Sequence, residues 1–442
     1  MIASTIYLVN PISGHGHLDA YARLYARALT ELGHQVVLIA PSDSGIIAYL
    51  ERNAPAAVKS FCFFSFDALD DELRSRSNNP RADLSTFARA RLVLAEEGLS
   101  GIHDRLRVYS SRVVVRLFPT IGTFLGLDRS NPRISFAPFP ARIRLAREWS
   151  NLSEGLIFFL YLDMMAEDQQ SLDALNGDDV LPWGGILFHP RSGVCLGLKG
   201  PEQYLLTSKA RGALFLVPEA AEDYRLACDT LSVAVVPDVA DLEPADEPSA
   251  VAQSIRAKAG ARTVVLQIGT LTPHKGILDL LEVIPRADPQ RFFFAFVGKV
   301  YHETFGDDAG RIRDFFSNPP ENVLVYNGFI DDERDYNSVV ASADIAFAVY
   351  RNFPSSSNIL TKAAEFNIPL LVSDRYMMGR LIREYDIGIA VPEGNPDLIL
   401  TALITAAERE WPAENFQAYV GERSIERLKM VLGEAIRTWH AQ

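Results

Sequence analysis

Short apolar runs alternate along this chain with stretches in which apolar residues recur every third or fourth position. Ser4–Asn10 is a run of the first kind and reads as a strand. Leu18–Leu32 is of the second kind, with Tyr21, Leu24, Tyr25, Ala28, Leu29 and Leu32 at helical spacing. Gly33 follows where a helix end wants a left-handed residue. Gln35–Ala40 is a second strand, stopped by Pro41. Strand, helix, strand in this order is a βαβ unit, whose crossover makes a parallel pair.

The same reading gives strands at Ala57–Phe64, Arg112–Leu117, Gly185–His189, Ala213–Val217 and Ser232–Val236, with helices at Ser85–Tyr109 and Glu219–Ala227. The proline-rich stretch 118–153 receives no element. Around Pro237–Ala252 proline and acidic residues take over and the apolar period stops, the mark of a linker. A second series then begins. Strands are expected at Thr263–Ile268, Phe292–Val297, Val323–Tyr326, Ile345–Val349 and Leu370–Ser373. Helices are expected at Gly276–Ile284, Asp308–Phe316, Glu333–Ala341 and Ile359–Phe366, and the tail from Trp411 to Gln442 also reads as helix. This predicts an α/β protein with two Rossmann-like, doubly wound parallel-sheet domains, residues 1–240 and 241–414, facing a cleft.

The chain has 442 residues, 48% hydrophobic and 22% charged, enough for two such cores without disulfide or metal support. Its three cysteines, Cys62, Cys195 and Cys228, form no CxxC pair and read as small hydrophobes in a reducing compartment. The N-terminus has no basic leader and no apolar run approaches 18 residues, so a cytoplasmic protein is expected. A net charge of −13 argues against nucleic acid as partner. Residues 74–147 run against that balance, with fourteen arginines, five acids and no lysine. They read either as solvated faces with local ion pairs or as a surface making peripheral contact with an anionic membrane or acceptor.

Three strand-end segments carry candidate chemistry. Pro11-Ile-Ser-Gly14-His15-Gly16-His17 follows the first strand and opens the first helix, where glycines let a ligand approach and free N–H groups give positive potential. It is not a dinucleotide fingerprint, because Asp19 stands where a third glycine belongs. Ile268-Gly269-Thr270-Leu-Thr-Pro-His-Lys275-Gly276 repeats the design, with Lys275 as a cation for a diphosphate. Pro354-Ser355-Ser356-Ser357-Asn358 leads into a helix that starts at Ile359 and holds Glu365. Hydroxyls and amides there can cradle an anion, and a carboxylate can accept both hydroxyls of a ribose.

Taken in order, G-x-L-x-P-x-K-G, a later Asn-Gly-Phe, then Ser-Ala-Asp, a small polar loop and an A-A-E helix before a proline-led strand resemble the donor domain of retaining GT-B glycosyltransferases. This is the large family that includes sucrose synthase and bacterial mannosyltransferases. The resemblance covers about 250–400 well and the first domain loosely. It implies a nucleotide diphosphate sugar as donor, a glycan or lipid-linked acceptor and a last helix, about 415–442, crossing back to the first domain. It places Gly269, Thr270 and Lys275 at the diphosphate, Ser355, Ser356, Ser357, Asn358 and Ile359 at phosphate or sugar, Glu365 at the ribose, and Phe329 and Ile330 near the base. Gly14, Gly16 and His189 fall on the acceptor side.

Two positions depart from that family. Thr270 stands where an arginine is usual, and Ser357 stands eight residues before Glu365, where a first glutamate is usual. No D-x-D triplet occurs, so no cofactor or metal is expected. His17 and His15 are the candidates for handling the acceptor proton. Three alternatives stay open: an inverting enzyme with His17 as base, a nucleotide-sugar epimerase, and a catalytically silent GT-B protein that binds a partner transferase.

Overall fold

The computed structural model describes residues 4–13, 17–43, 45–78, 133–191, 194 and 200–442. The expected strand at Arg112–Leu117 and helix at Ser85–Tyr109 lie outside them.

The first sheet is built from β1 (Thr5–Val9), β2 (Gln35–Ala40), β3 (Phe61–Ser65), β4 (Leu156–Phe159), β5 (Trp183–Leu187), β6 (Ala210–Phe215) and β7 (Ser232–Val235), in the order β3-β2-β1-β4-β5-β6-β7. All its pairs are parallel. Alternate residues face opposite layers, as the two-residue period of a strand demands. Ile6 and Leu8 pack on the side of α1 (His17–Glu31) and α2 (Ile46–Asn53). Tyr7 and Val9 pack on the side of α4 (Phe139–Ser150) and α6 (Pro218–Ala227). Helices α3 (Phe66–Asn78) and α5 (Gln169–Leu175) complete the described helices of this domain.

The second sheet contains β8 (Thr263–Ile268), β9 (Phe292–Val297), β10 (Val323–Tyr326), β11 (Ile345–Ala348), β12 (Leu370–Ser373) and β13 (Gly388–Val391), in the order β10-β9-β8-β11-β12-β13. It too is parallel throughout. Helices α7 (Ala250–Ala259), α8 (Ile277–Val283), α9 (Ala309–Ser317), α10 (Glu333–Ala341), α11 (Ile359–Glu365), α12 (Tyr376–Tyr385) and α13 (Pro396–Glu408) cover its faces. Both sheets reverse strand order beside their first strand, β1 or β8, so the fold is the expected pair of doubly wound domains.

The tail is two helices. The first, α14 (Ala413–Gly421), packs with Phe416 and Tyr419 in the second domain's core. After a break where Ser424 caps the next helix by accepting from Arg427 N–H, α15 (Ile425–Ala441) crosses to the first domain. Trp439 anchors it there, stacked on Phe158 at 5.8 Å between centroids. The indole lies on two glycines. A Cβ on Gly212 would come within 1.9 Å of the indole nitrogen, and one on Gly184 within 2.4 Å of the ring.

Several expected boundaries move: the strands expected at Gly185–His189 and Ala213–Val217 are Trp183–Leu187 and Ala210–Phe215. The strand expected from Ala57 starts at Phe61, because Pro55–Ser60 forms a 3-10 turn. The apolar run at Leu156 is the buried central strand β4, and β13 adds an edge beyond Ser373. No helix among the described residues is long and apolar enough to cross a membrane.

Candidate interdomain site

The loop after β8 is shaped by backbone contacts. Gly269 (φ +109) passes so close to Gly298 that a Cβ on the latter would lie 1.7 Å from the Gly269 carbonyl oxygen. Gly276 (φ +71) sits against the end of β11, where its own Cβ would lie 2.1 Å from the Val349 carbonyl. Between them, half-buried Lys275 holds its Nζ 3.9 Å from the ring centroid of buried Tyr350. Thr270 lies in the same turn, also half-buried.

The loop after β11 is tied to this one. Arg351 N–H donates to the His274 carbonyl at 2.8 Å, and the Arg351 guanidinium grips buried Asp279 with two nitrogens. The Ser355–Asn358 segment follows, half-buried, and Ile359 opens α11. Phe329 and Ile330 follow β10 at the same edge of the sheet, and Ile330 and Tyr336 both pack, partly buried, against the second domain's core. Burial, then Tyr350 and Glu333, holds the Tyr336 hydroxyl well above its ordinary pKa.

Glu365 is set apart from this group. Helix α11 runs from the C-terminal end of β11 back toward the start of β12, and Glu365 is its last residue, roughly 10 Å along the axis from Asn358 at 1.5 Å per residue. The carboxylate is exposed. The next residue, Phe366, lines a cavity of about 400 Å³ with Ala252, Arg256, Ala341 and Ser342. Arg256 pairs with Asp344, just ahead of β11, so this is the opposite edge of the sheet. The charged residue that α11 buries is Lys362.

On the first domain, Gly14, His15 and Gly16 lie outside the described residues. His17 is the first residue of α1, four ahead of Tyr21. His189 follows β5 and is exposed. The chain just beyond it is held by Arg191, whose guanidinium pairs with Glu167 and Glu202 and whose N–H donates to Tyr224 Oη at 3.1 Å. Burial pushes the Glu202 carboxyl up, against the pull of the Tyr224 hydroxyl and Arg191. The six described arginines of the 74–147 segment all have local acceptors: Arg74 on Asp71, Arg76 on Glu72 and Glu148, Arg142 on Asp70, Arg144 on Asp179, and Arg133 and Arg147 on carbonyls.

The two domains meet at the linker. Buried Asp238 accepts from Tyr21 Oη of α1, and Ser356 of the loop after β11 sets its hydroxyl beside the same carboxyl. Burial raises the pKa of Asp238 more than Ser356, Tyr21 and Arg423 lower it. Its carbonyl takes Thr361 Oγ1 at 3.3 Å. Three residues on, the Asp241 carbonyl accepts from Lys362 Nζ at 2.7 Å and Asn337 Nδ2 at 3.0 Å, while its carboxylate meets Arg23 of α1 at 3.3 Å. Lys362 also pairs with Glu333 at 2.8 Å. Helices α1 and α11 are thereby both bonded to Asp238, one at its carboxylate and the other at its carbonyl. On another side, Arg380 of α12 pairs with Glu219 at the start of α6.

Asp238, Tyr21, Tyr350 and Lys362 were not among the expected site residues. The signals were present: two aspartates among apolar residues in Pro237-Asp-Val-Ala-Asp241, and one cation in an otherwise apolar Ile-Leu-Thr-Lys-Ala-Ala helix.

The chain matches no protein-family model and no curated protein sequence. It is similar in structure to a glycosyltransferase from Rickettsia africae ESF-5, at 11% identity and TM-score 0.61, covering 100% of this chain and 99% of that one. It is similar to a sucrose-phosphate synthase from Thermosynechococcus elongatus, at 15% identity and TM-score 0.61, covering 99% of each chain. A third similar structure is Anabaena HepE in complex with UDP-glucose, at 12% identity and TM-score 0.59, covering 98% of this chain and 100% of that one. At these identities the likeness carries the fold: the architecture is GT-B, two parallel-sheet domains with interleaved helices, as in these structures.

Proposed function

We propose that this protein is a glycosyltransferase that moves a sugar from a nucleotide diphosphate sugar to a hydroxyl of a glycan or lipid-linked acceptor. The carrying observation is the convergence of the loops after β8 and β11 on Lys275 and Tyr350, with Asp238 joining α11 to α1. Ligands of doubly wound folds bind beyond the carboxyl ends of the strands, beside the switch point, and β8 with β11 is that point. The GT-B likeness, and UDP-glucose in HepE, favour a nucleotide sugar there.

In this reading Lys275 and the amides around Ser355–Asn358 take the charge that develops on the departing diphosphate, and the step needs no metal. Gly269 and Thr270 let the phosphates approach the backbone. Phe329 and Ile330 flank the base. The transfer retains anomeric configuration. An inverting transfer is the second reading, favoured by the place of His17 at the head of α1, one turn from Tyr21. NMR of the product's anomeric proton separates the two.

The first test is thermal melting with UDP, GDP and ADP, in the native protein and in Lys275→Ala. A nucleotide at about 100 times its Kd stabilises the fold by roughly 2.7 kcal/mol. Stabilisation by one nucleotide series that is lost in Lys275→Ala is the expected result. No stabilisation by any of the three in the native protein overturns the proposal.

A further inference from the structure

Tyr376 opens α12 with φ +62, a left-handed conformation that a bulky side chain rarely adopts. The turn around it is tightly packed. A Cβ on Gly379 would lie 2.5 Å from the Asp374 carbonyl oxygen and 2.7 Å from that of Ser373, so the first turn of α12 is pressed onto the end of β12. Met378 and Ile382 bury the other side of the helix. Such outliers persist where the surroundings over-determine them and concentrate at ligand sites. Here the outcome is an aromatic residue 41% exposed.

The place of this ring gives it a role. Ser373 Oγ donates to the Tyr350 carbonyl at 2.8 Å, so the β12 end is bonded to the residue whose ring lies under Lys275. One helical turn beyond Tyr376, Arg380 reaches Glu219 of the first domain. Tyr376 therefore lies just beyond the carboxyl end of β12, three residues after Ser373 and one helical turn before Arg380. Arg375 lies over the ring with its guanidinium carbon 5.0 Å from the centroid, and is itself held by Glu393.

We infer that Tyr376 is a stacking platform for a pyranose ring on the acceptor side of the cleft. An exposed aromatic face held rigidly by its backbone offers a large apolar contact at low entropic cost, and the C–H face of a pyranose is its complement. The role as acceptor site rests on the glycosyltransferase reading; the binding of a sugar to this ring does not.

Saturation-transfer NMR tests it, with methyl α-D-glucopyranoside, methyl α-D-mannopyranoside and maltose as probes, each with and without UDP. The native protein is compared with Tyr376→Phe and Tyr376→Gly, the latter because glycine accepts this φ without strain. The expected result is saturation of sugar C–H protons in the native protein and in Tyr376→Phe, and affinity lower by roughly tenfold in Tyr376→Gly, the loss of one stacked ring. UDP signals should be equal in all three. Sugar signals unchanged in Tyr376→Gly, or absent for every probe in the native protein, overturn the platform. Absent UDP signals with the sugar pattern as expected count against the transferase reading and leave the platform standing.

Discussion

The two domains touch at a linker side and at a mouth, and the two contacts differ in kind. At the linker, charged groups are out of water and each has several partners: Lys362 has three hydrogen-bond acceptors and also lies 5.1 Å from the Tyr336 centroid. At the mouth, Arg380 and Glu219 form a single pair whose side chains are 46% and 60% exposed. A buried, multiply bonded cation cannot leave its partners without stranding them, whereas an exposed pair exchanges its partner for water at little cost. The linker is therefore the fixed side of the molecule and the mouth the side free to open.

Removing the charge of Lys362 should break the fixed side. Lys362→Met keeps the length of the side chain but leaves Glu333, the Asn337 side-chain carbonyl and the Asp241 carbonyl short of a donor. A loss of about 3–5 kcal/mol is expected, as for other buried pairs deprived of one partner. Urea unfolding checks it. A loss below about 1 kcal/mol, the scale of an exposed pair, would erase the contrast between the two sides.

Asp238 sharpens the contrast through pH. Its folded pKa is raised above the ordinary 3.8, chiefly by burial. The folded protein then binds more protons than the unfolded one as pH climbs above 3.8, so stability falls through that window and stays lower beyond it. An amide in place of this carboxyl carries no such penalty, and its oxygen still accepts from Tyr21. Asp238→Asn should melt higher than the native protein at neutral pH, and the gap should close as pH approaches 3.8. A gap that does not change with pH would show that the carboxyl is ionised at no cost.

This same contrast explains what was legible in the sequence. The second sheet was readable almost strand by strand, since Thr263–Ile268, Phe292–Val297, Val323–Tyr326 and Leu370–Ser373 are apolar runs bounded by turn residues. The turn that holds Lys275 was readable for a local reason, a lysine and glycine between a strand and a helix. Lys362 and Asp238 were not, because burial of a charge is decided by what packs on it from a distance. Asp238 is met by Tyr21, 217 residues away, and Lys362 by Asp241, 121 residues away. Within the acid-rich linker Asp246 and Glu247 are exposed, whereas Asp238–Asp241 is buried. Glu365 shows the converse. Its spacing from the serine loop suggested a ligand role, yet α11 runs antiparallel to its strands and carries the carboxylate to the other edge.

The mouth gives the smallest effect. Arg380→Ala removes an exposed pair in which Arg380 lowers the Glu219 pKa, and its stability cost should stay below about 1 kcal/mol and shrink further in salt. The consequence belongs in shape. With the linker network intact and the mouth released, the domains should rotate apart about Val236–Asp241, and small-angle scattering should give a larger radius of gyration for Arg380→Ala than for the native protein at low salt. Raising the salt should bring the native protein toward the variant, because screening weakens the same exposed pair. If the radius is unchanged in both comparisons, the mouth is held by packing and not by this ion pair, and the asymmetry between the two contacts is one of burial alone.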